Sequence, residues 1–202
     1  FDSNGLNIKH FSAFSGAGTL AANGTIGKDG ALAIKGRMAE FPIDPVLAMI
    51  SEKGGSGLCS TGFELSGSIY APEFDGMVQL SEMHFMEQHV KEAHGRISLK
   101  QNVLGISGFK ANMEQGYHLI DGSINLQNKE PIFDVAVETH GVRIEPIMDI
   151  VAPGISVTGN LNNIVQINGT PSSPSIYGEV LATDGSAMEQ LYSSVAGRYS
   201  FV

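Results

Sequence analysis

The chain has 202 residues, of which 25 are glycine and only 16% are charged, which is unusual for a compact enzyme and suggests many turns. Its net charge of −9 and its lack of any lysine or arginine cluster argue against nucleic acid and against an anionic membrane surface as partners. The single cysteine, Cys59, excludes an internal disulfide, and no apolar run approaches the roughly 20 residues of a membrane-spanning helix.

The N-terminal third predicts a β-hairpin. Residues 6–9 alternate between apolar and polar side chains, as a strand does. Residues 19–26 and 31–38 flank a Lys-Asp-Gly turn, so we expect them to pair as antiparallel strands. Leu32 and Ile34 then share one face of that hairpin.

Two short helices are predicted by the same start signal. Asp44-Pro45 offers an N-cap and a proline at the first helical position, so residues 46–53 should form an amphipathic helix that ends at two glycines. Glu145-Pro146 offers the equivalent start for a second helix, which should end near Pro153.

A long strand follows each predicted helix. The first runs from Phe63 to Tyr70, is broken at Ala71-Pro-Glu, and resumes over 74–80. The second covers 155–167 and resumes over 176–181. Proline is confined to the breaks, as the hydrogen-bonded ladder requires. Residues 86–93 fit either a helical turn or a strand, and four further strands are predicted at 96–99, 103–109, 117–126 and 132–139.

Asn-Gly and Asp-Gly pairs punctuate the whole chain. They are a strong hairpin signal, although some could be bends inside long strands. The pairs begin at Asn4, Asn23, Asp29, Asp75, Asp121, Asn168 and Asp184. Together with the strand pattern they predict an all-β fold, an antiparallel meander of about a dozen strands, which at ~4.8 Å per strand would be about 60 Å long.

The chain also contains an internal repeat. Residues 41–50 and 142–151 match in character at an offset of 101, and residues 65–78 match 167–180 at an offset of 102. Residues 41–99 are therefore related to 142–201, and we interpret 1–202 as a single elongated repeat array. Because the start resembles neither a signal peptide nor an initiator methionine, and the end falls within a strand pattern, we expect a fragment of a longer protein.

The chain offers no convincing catalytic or metal-binding motif. His89 and His94 are five residues apart, which suits neither the metal-ligand spacing of a helix nor one face of a strand. Cys59 lies among glycine and serine in a predicted loop, where a small structural residue is the simpler interpretation than a nucleophile. Asn23 and Asn168 fit the glycosylation pattern, but both also serve as strand punctuation. No cofactor is predicted.

The remaining candidate site is an apolar surface. Ile124, Leu126, Phe133, Val135 and Val137 would form one stripe across adjacent strands. Such a stripe could be the core of a folded sheet, but helical residues are too few to cover it, so an open groove is also predicted. The full set of residues predicted to line this groove is Leu32, Ile34, Phe63, Leu65, Ile69, Val78, Ile97, Leu99, Leu104, Ile106, Ile124, Leu126, Phe133, Val135, Val137, Val165, Ile167 and Val180.

One repeated motif resembles a known family. The run Gly169-Thr-Pro-Ser-Ser-Pro-Ser-Ile-Tyr-Gly-Glu-Val180 is similar to a glycine-proline signature of the TamB-like proteins of the translocation and assembly module, in the AsmA-like superfamily. The copy at 67–78 follows it, with Ile69 in place of the first proline. Ile43-Asp-Pro45 and Ile144-Glu-Pro146, each before a glycine-rich strand, extend the resemblance to nearly the full chain.

This resemblance implies a β-taco, which is a long antiparallel sheet folded lengthwise into a trough with short capping helices. It also implies a bridge-like lipid-transfer protein of the periplasm, anchored in the inner membrane by a segment not present here. Such a protein would carry phospholipid to the outer membrane, and an outer-membrane barrel of the Omp85 class is the implied partner. The residues alone leave two alternatives open: a structural stalk or adhesin-like repeat, and an enzyme with a diffuse site.

The two repeat units are cut out of phase in this chain, and this leads to a further expectation. Both ends of the sheet should expose unpaired strand edges, which are templates for pairing. We therefore expect the chain to self-associate.

Overall fold

The computed structural model describes residues 5–45, 55–85, 88–152 and 154–202. These residues form one antiparallel sheet of twelve strands that pair in sequence order, each strand with the next. The sheet is open, not closed into a barrel, and is consistent with a trough. The strands are β1 (Gly5–Ser15), β2 (Gly18–Gly27), β3 (Leu32–Pro42), β4 (Gly55–Ser68), β5 (Ala71–Phe85), β6 (Gln88–Lys100), β7 (Val103–Met113), β8 (Tyr117–Asn125), β9 (Ile132–Arg143), β10 (Val157–Thr170), β11 (Ser173–Ala187) and β12 (Gln190–Phe201).

The predicted all-β meander of about a dozen strands is therefore confirmed. A helix, α1 (Glu145–Val151), begins at the predicted Glu145-Pro146 signal. The first predicted helix, 46–53, lies outside the described residues. Residues 88–93, which fitted two interpretations, belong to β6. Within the described ranges, no helix has the length and hydropathy needed to cross a membrane.

Most Asn-Gly and Asp-Gly pairs lie inside strands, although their sequence favours turns. Among the described residues, only Asp29-Gly30 lies in a hairpin turn, and the other pairs lie inside strands. Gly24 and Gly122 show why: each has φ near +145°, and a Cβ atom there would lie 2.1 or 2.2 Å from a carbonyl oxygen of the neighbouring strand. Glycine is thus required by a close backbone approach within the sheet, not by a turn.

Two predicted strand breaks are also displaced. The β4–β5 turn is Ile69-Tyr70, so that Pro72 lies inside β5 and faces Gly67 of β4. The β10–β11 turn is Pro171-Ser172, and Pro174 faces Gly169. Both glycines have positive φ, at 79° and 89°. Proline is accommodated here because it lies near the end of a ladder, next to a left-handed glycine.

β-Bulges recur at the positions related by the repeat. The β3–β4 ladder shifts between Met38 and Phe41, and the β9–β10 ladder shifts between Thr139 and Val142, 101 residues later. The β1–β2 and β7–β8 ladders shift at positions 98 residues apart. At three bulges a residue with positive φ donates its N–H to a side-chain oxygen of the next strand: Glu40 to Ser60 at 3.0 Å, Gly108 to Asp121 at 2.7 Å and Gly141 to Asn162 at 3.1 Å. The side chain replaces the ladder partner that the extra residue removes.

Candidate functional site: an apolar face across the whole sheet

The strand register joins apolar residues into an unbroken row. Residues directly opposite each other in a ladder point to the same face of the sheet. Followed from β1 to β12, one such row contains only apolar side chains and glycine: Phe11, Ala22, Gly36, Phe63, Gly76, Ile97, Ile106, Gly122, Val135, Ile167, Ile176 and Phe201. We call the side to which this central row points the apolar face.

A second apolar row lies beside the central row on the same face. Its members lie two residues from the central row in each strand except β1, where a bulge makes the spacing three residues. From β1 to β11 it contains Ile8, Gly24, Ile34, Leu65, Phe74, Leu99, Leu104, Ile124, Phe133, Gly169 and Pro174. Two adjacent rows make a band of hydrocarbon surface that runs perpendicular to the strands.

The opposite side, here the polar face, carries the charges. One row on it contains Asn23, Lys35, Glu64, Asp75, Ser98, Gly105, Ser123, Asp134, Asn168 and Ser175. Ion pairs cross the strands on this face: Lys35 lies 2.6 Å from Glu64, and Arg96 lies 2.8 Å from Asp75. Lys35, Glu64 and Arg96 are largely exposed and Asp75 is half-buried, so the pairs contribute little to stability but keep this face in contact with water.

Burial follows the same division. In β2 and β3 every residue of the apolar face from Leu20 to Met38 is half-buried, whereas the alternate strand residues between them, apart from Gly27 at the end of β2, are exposed. No large side chain among the described residues is fully buried, and the most buried ones, Val142 and Leu161, are 4% and 5% exposed. A closed core would enclose large side chains completely. The apolar face therefore keeps part of its surface accessible.

Glycines on the apolar face make room for aromatic rings from the neighbouring strand. A Cβ atom at Gly36 would lie 2.3 Å from the ring of Phe63, and one at Gly95 would lie 2.5 Å from the Cα atom of Phe109. A Cβ at Gly178 would meet the hydroxyl of Tyr199 at 2.7 Å. A side chain at any of these positions would collide with the aromatic residue of the neighbouring strand, so glycine is required there.

All but two of the residues predicted to line the groove lie on the apolar face. Each of these residues lies in a strand. Each is either a member of one of the two rows or an even number of residues from a row member in the same strand, with no bulge between them. The exceptions are Ile69, 51% exposed in the β4–β5 turn, and Leu126, 47% exposed just after β8. Both were expected in strands, and both lie beyond the last ladder pair, where alternation no longer determines direction.

A polar belt on the apolar face was not predicted. His118, Thr139 and Asn163 lie directly opposite one another in β8, β9 and β10. The His118 Nδ1 atom lies 2.9 Å from Thr139 Oγ1, and the hydroxyl of Tyr199 donates to Asn163 Oδ1 at 3.1 Å. Burial lowers the pKa of His118, which favours its neutral form. Strand alternation in the sequence could have placed His118 on this face, since it is an even number of residues from Ile120 and Ile124.

Helix α1 covers one margin of the apolar face. Ile147 and Met148 of the helix pack against a cluster of Ile144, Leu161 and Ala182. A second cluster, formed by Val90, Ala93 and Ala111, lies across β6 and β7. These local clusters hold neighbouring strands together without covering the two apolar rows.

Cys59 does not lie where it was expected, and His89 lies in β6 beside other titratable groups. Cys59 lies in β4, 6% exposed and opposite Phe41 and Leu80, so the predicted loop position is wrong. Burial raises the pKa of its thiol, which disfavours the thiolate that a nucleophile needs. His89 stacks on His84 with ring centroids 4.3 Å apart and lies 3.5 Å from Glu82. Within the described ranges no group of three His, Cys, Asp or Glu could hold a metal ion.

Comparisons with known proteins add no assignment to this geometry. No family model, curated protein or solved structure matches the chain. The features of the molecule that bear on its function are therefore the two apolar rows, the polar belt beside them and the polar face behind them.

Proposed function

We propose that the chain is a segment of a non-enzymatic lipid-transfer conduit, in which the acyl chains of phospholipid lie against the apolar face. The observation that carries this proposal is the central row, which crosses all twelve strands without a charged or polar side chain. Acyl chains bind by burial of hydrocarbon, worth about 0.8 kcal/mol per buried CH₂ group, and need no directional contact.

The direction of the rows fits transport better than storage. A storage pocket would be enclosed and lined from several sides, whereas these rows run along the sheet from β1 to β12. An acyl chain displaced by one strand would meet nearly the same surface again. Near-equivalent neighbouring positions give low barriers between them, which is what movement along a groove needs.

The polar face and the net charge of −9 support an aqueous setting for this groove. An acidic surface would be repelled by anionic bilayers, so the chain would act between membranes and not upon one. The resemblance to TamB-like proteins supports the finer proposal: a periplasmic location, an inner-membrane anchor outside this chain, phospholipid passing to the outer membrane, and an Omp85-class barrel as partner.

The direct test is lipid capture by the purified chain. Protein prepared without detergent would be mixed with phosphatidylcholine vesicles containing self-quenched, acyl-labelled NBD-phosphatidylethanolamine, and transfer would be followed as an increase in fluorescence. We expect saturable transfer that excess unlabelled phosphatidylethanolamine suppresses. A parallel experiment with NBD-palmitate separates phospholipid from free fatty acid, because preference for the fatty acid would contradict the phospholipid assignment.

The structural-stalk alternative makes the opposite prediction. A stalk would show no transfer of either probe, and extraction of the folded protein would give no lipid by mass spectrometry. That pair of results, obtained on protein with a cooperative thermal transition, would overturn the conduit proposal.

A further inference from the structure

The two outer strands of the sheet each have one free edge. Among the residues that the structure describes, β1 pairs only with β2, and β12 pairs only with β11. Large apolar side chains are exposed at these ends of the apolar face: Leu6 is 39%, Phe11 49%, Tyr199 39% and Phe201 62% exposed. Unpaired backbone groups beside exposed apolar side chains form a template for a further strand.

The pairing of β6 with β7 inside the chain shows how the two free edges would join. The repeat relates β12 to β6 at an offset of 102 and β1 to β7 at an offset of 98. Within the chain, β6 pairs with β7. The free edge of β12 is therefore the counterpart of an edge that β6 has already paired, and the free edge of β1 is the counterpart of the β7 edge that meets it.

We propose that copies of this chain join head to tail, with β12 of one copy pairing antiparallel with β1 of the next in the β6–β7 register. That register places Ile97 opposite Ile106 and Leu99 opposite Leu104. Transferred by the two offsets, it places Tyr199 opposite Ile8 and Phe201 opposite Leu6 of the neighbouring copy. Large side chains of the apolar face therefore meet across the junction, although the rows are offset there: Phe201, from the central row, lies opposite Leu6, and Ile8, from the second row, lies opposite Tyr199.

A glycine and an aromatic ring complete the match. At the internal junction a Cβ atom on Gly95 would lie 2.5 Å from Phe109, so only glycine fits beneath that residue. The counterparts are Gly197 and Phe11. In the single copy a Cβ on Gly197 would meet only Val180, at an ordinary 3.7 Å, and Phe11 is 49% exposed. Gly197 therefore has an open space of the kind that Phe109 fills at Gly95.

Electrostatics limit the strength of the junction. The register places Arg198 opposite Lys9 on the polar face, where the internal junction has Arg96 opposite Ser107. Arg198 lies 2.8 Å from Glu179, which offsets part of that repulsion. Since each copy also carries a net charge of −9, we expect association to strengthen as salt screens these charges.

The junction joins two different surfaces, so it does not close after two copies. A head-to-tail contact continues until a ring closes or a filament forms. The proposal thus predicts species larger than a dimer as the concentration rises, without any lipid present. Its outcome is independent of the lipid-transfer proposal, which can fail while the junction holds.

The first test uses Gly197→Thr. The added side chain fits the single copy but collides with Phe11 of the neighbouring copy. Sedimentation velocity should show association weakened by at least about tenfold, which is ~1.4 kcal/mol, with an unchanged thermal transition. Ala196→Thr is the matched control, because its counterpart His94 is large and directed to the polar face. Equal association of Gly197→Thr and wild type would overturn the proposal.

The second test fixes the register and does not depend on the folding of Gly197→Thr. In a Cys59→Ala background, Ala13→Cys and Val195→Cys are made in separate chains, as counterparts of the directly opposed Ala111 and Ala93. A mixture of the two should form an oxidised heterodimer. Ser12→Cys, one residue away on the polar face, should cross-link much more slowly with Val195→Cys. Cross-linking of Val195→Cys with itself at the rate of the mixture would indicate a symmetric β12–β12 contact and refute the head-to-tail register.

Discussion

At the scale of single residues, the apolar face makes unusual demands on the polar side chains within it. Cys59 and Thr61 both point to this face and are 6% and 7% exposed. Thr139 is 4% exposed and depends on His118 for a partner. Buried polar groups are tolerated when they are hydrogen-bonded. Variants at these positions therefore test how completely water is excluded from this part of the face.

The first prediction concerns the reactivity of Cys59. Because burial raises the pKa of its thiol, iodoacetamide should modify the native chain far more slowly than the urea-unfolded chain at neutral pH. Cys59→Ser should lower the free energy of unfolding by about 1–2 kcal/mol, since a hydroxyl replaces a thiol among apolar neighbours. Rapid native labelling together with an unchanged urea midpoint would contradict the buried position.

The second prediction concerns His118 and pH. Its pKa is lowered from 6.5 by burial, so the unfolded chain binds a proton more readily than the native chain does. Stability from this group is complete above about pH 6.5 and is lost as the pH falls toward the lowered native pKa. His118→Gln, which retains a partner for Thr139, should reduce the drop in melting temperature between neutral and mildly acidic pH. An identical drop in both proteins would exclude His118 as its source.

At the scale of elements, the bulges decide which face each strand segment presents. An ordinary strand alternates strictly, so one extra residue moves every later side chain to the other face. In β7 the bulge between Ile106 and Phe109 puts both residues on the apolar face, although they are three apart. The side-chain acceptors that satisfy the bulge N–H groups are therefore part of what keeps the apolar rows continuous.

The third prediction tests one such acceptor. Asn162→Ala removes the oxygen that accepts the N–H of Gly141. We expect a loss of about 1–2 kcal/mol in the free energy of unfolding, because a partly buried donor is left without a partner. Asn162→Asp keeps an acceptor oxygen and is the control, expected to stay close to wild type. Urea titrations of the three proteins would distinguish loss of the acceptor from a general effect of the substitution.

At the scale of the whole molecule, stability is spread along the sheet instead of being concentrated in one core. Each strand contacts the strands next to it in sequence, one for β1 and β12 and two for every other strand, and the two buried clusters lie far apart along the chain order. Such a quasi-one-dimensional architecture depends on nearest-neighbour interfaces. A local defect in the apolar face can therefore alter binding without unfolding the protein.

The fourth prediction uses that separation. Ile106→Asp places a carboxylate in the central row at a half-buried position. Because contact with acyl chains would desolvate the charge at a cost of several kcal/mol, we expect a folded protein with at least about tenfold slower lipid transfer. Ser107→Asp introduces the same residue on the polar face, opposite Arg96, and should transfer lipid normally. Equal transfer by both variants would show that the central row is not the path.

The sequence by itself determined the strands, their antiparallel order and the apolar residues that lie together, because two-residue alternation and short connections are local properties of the chain. Only the tertiary structure decided where the turns fall, since the Asn-Gly and Asp-Gly pairs inside β2, β5, β8, β10 and β11 are selected by a close approach of a neighbouring strand or ring. It alone placed Cys59 inside β4, opposite Phe41 and Leu80. The belt of His118, Thr139 and Asn163 also required it, because register between strands is set by bulges and long-range pairing, which no single stretch of sequence contains.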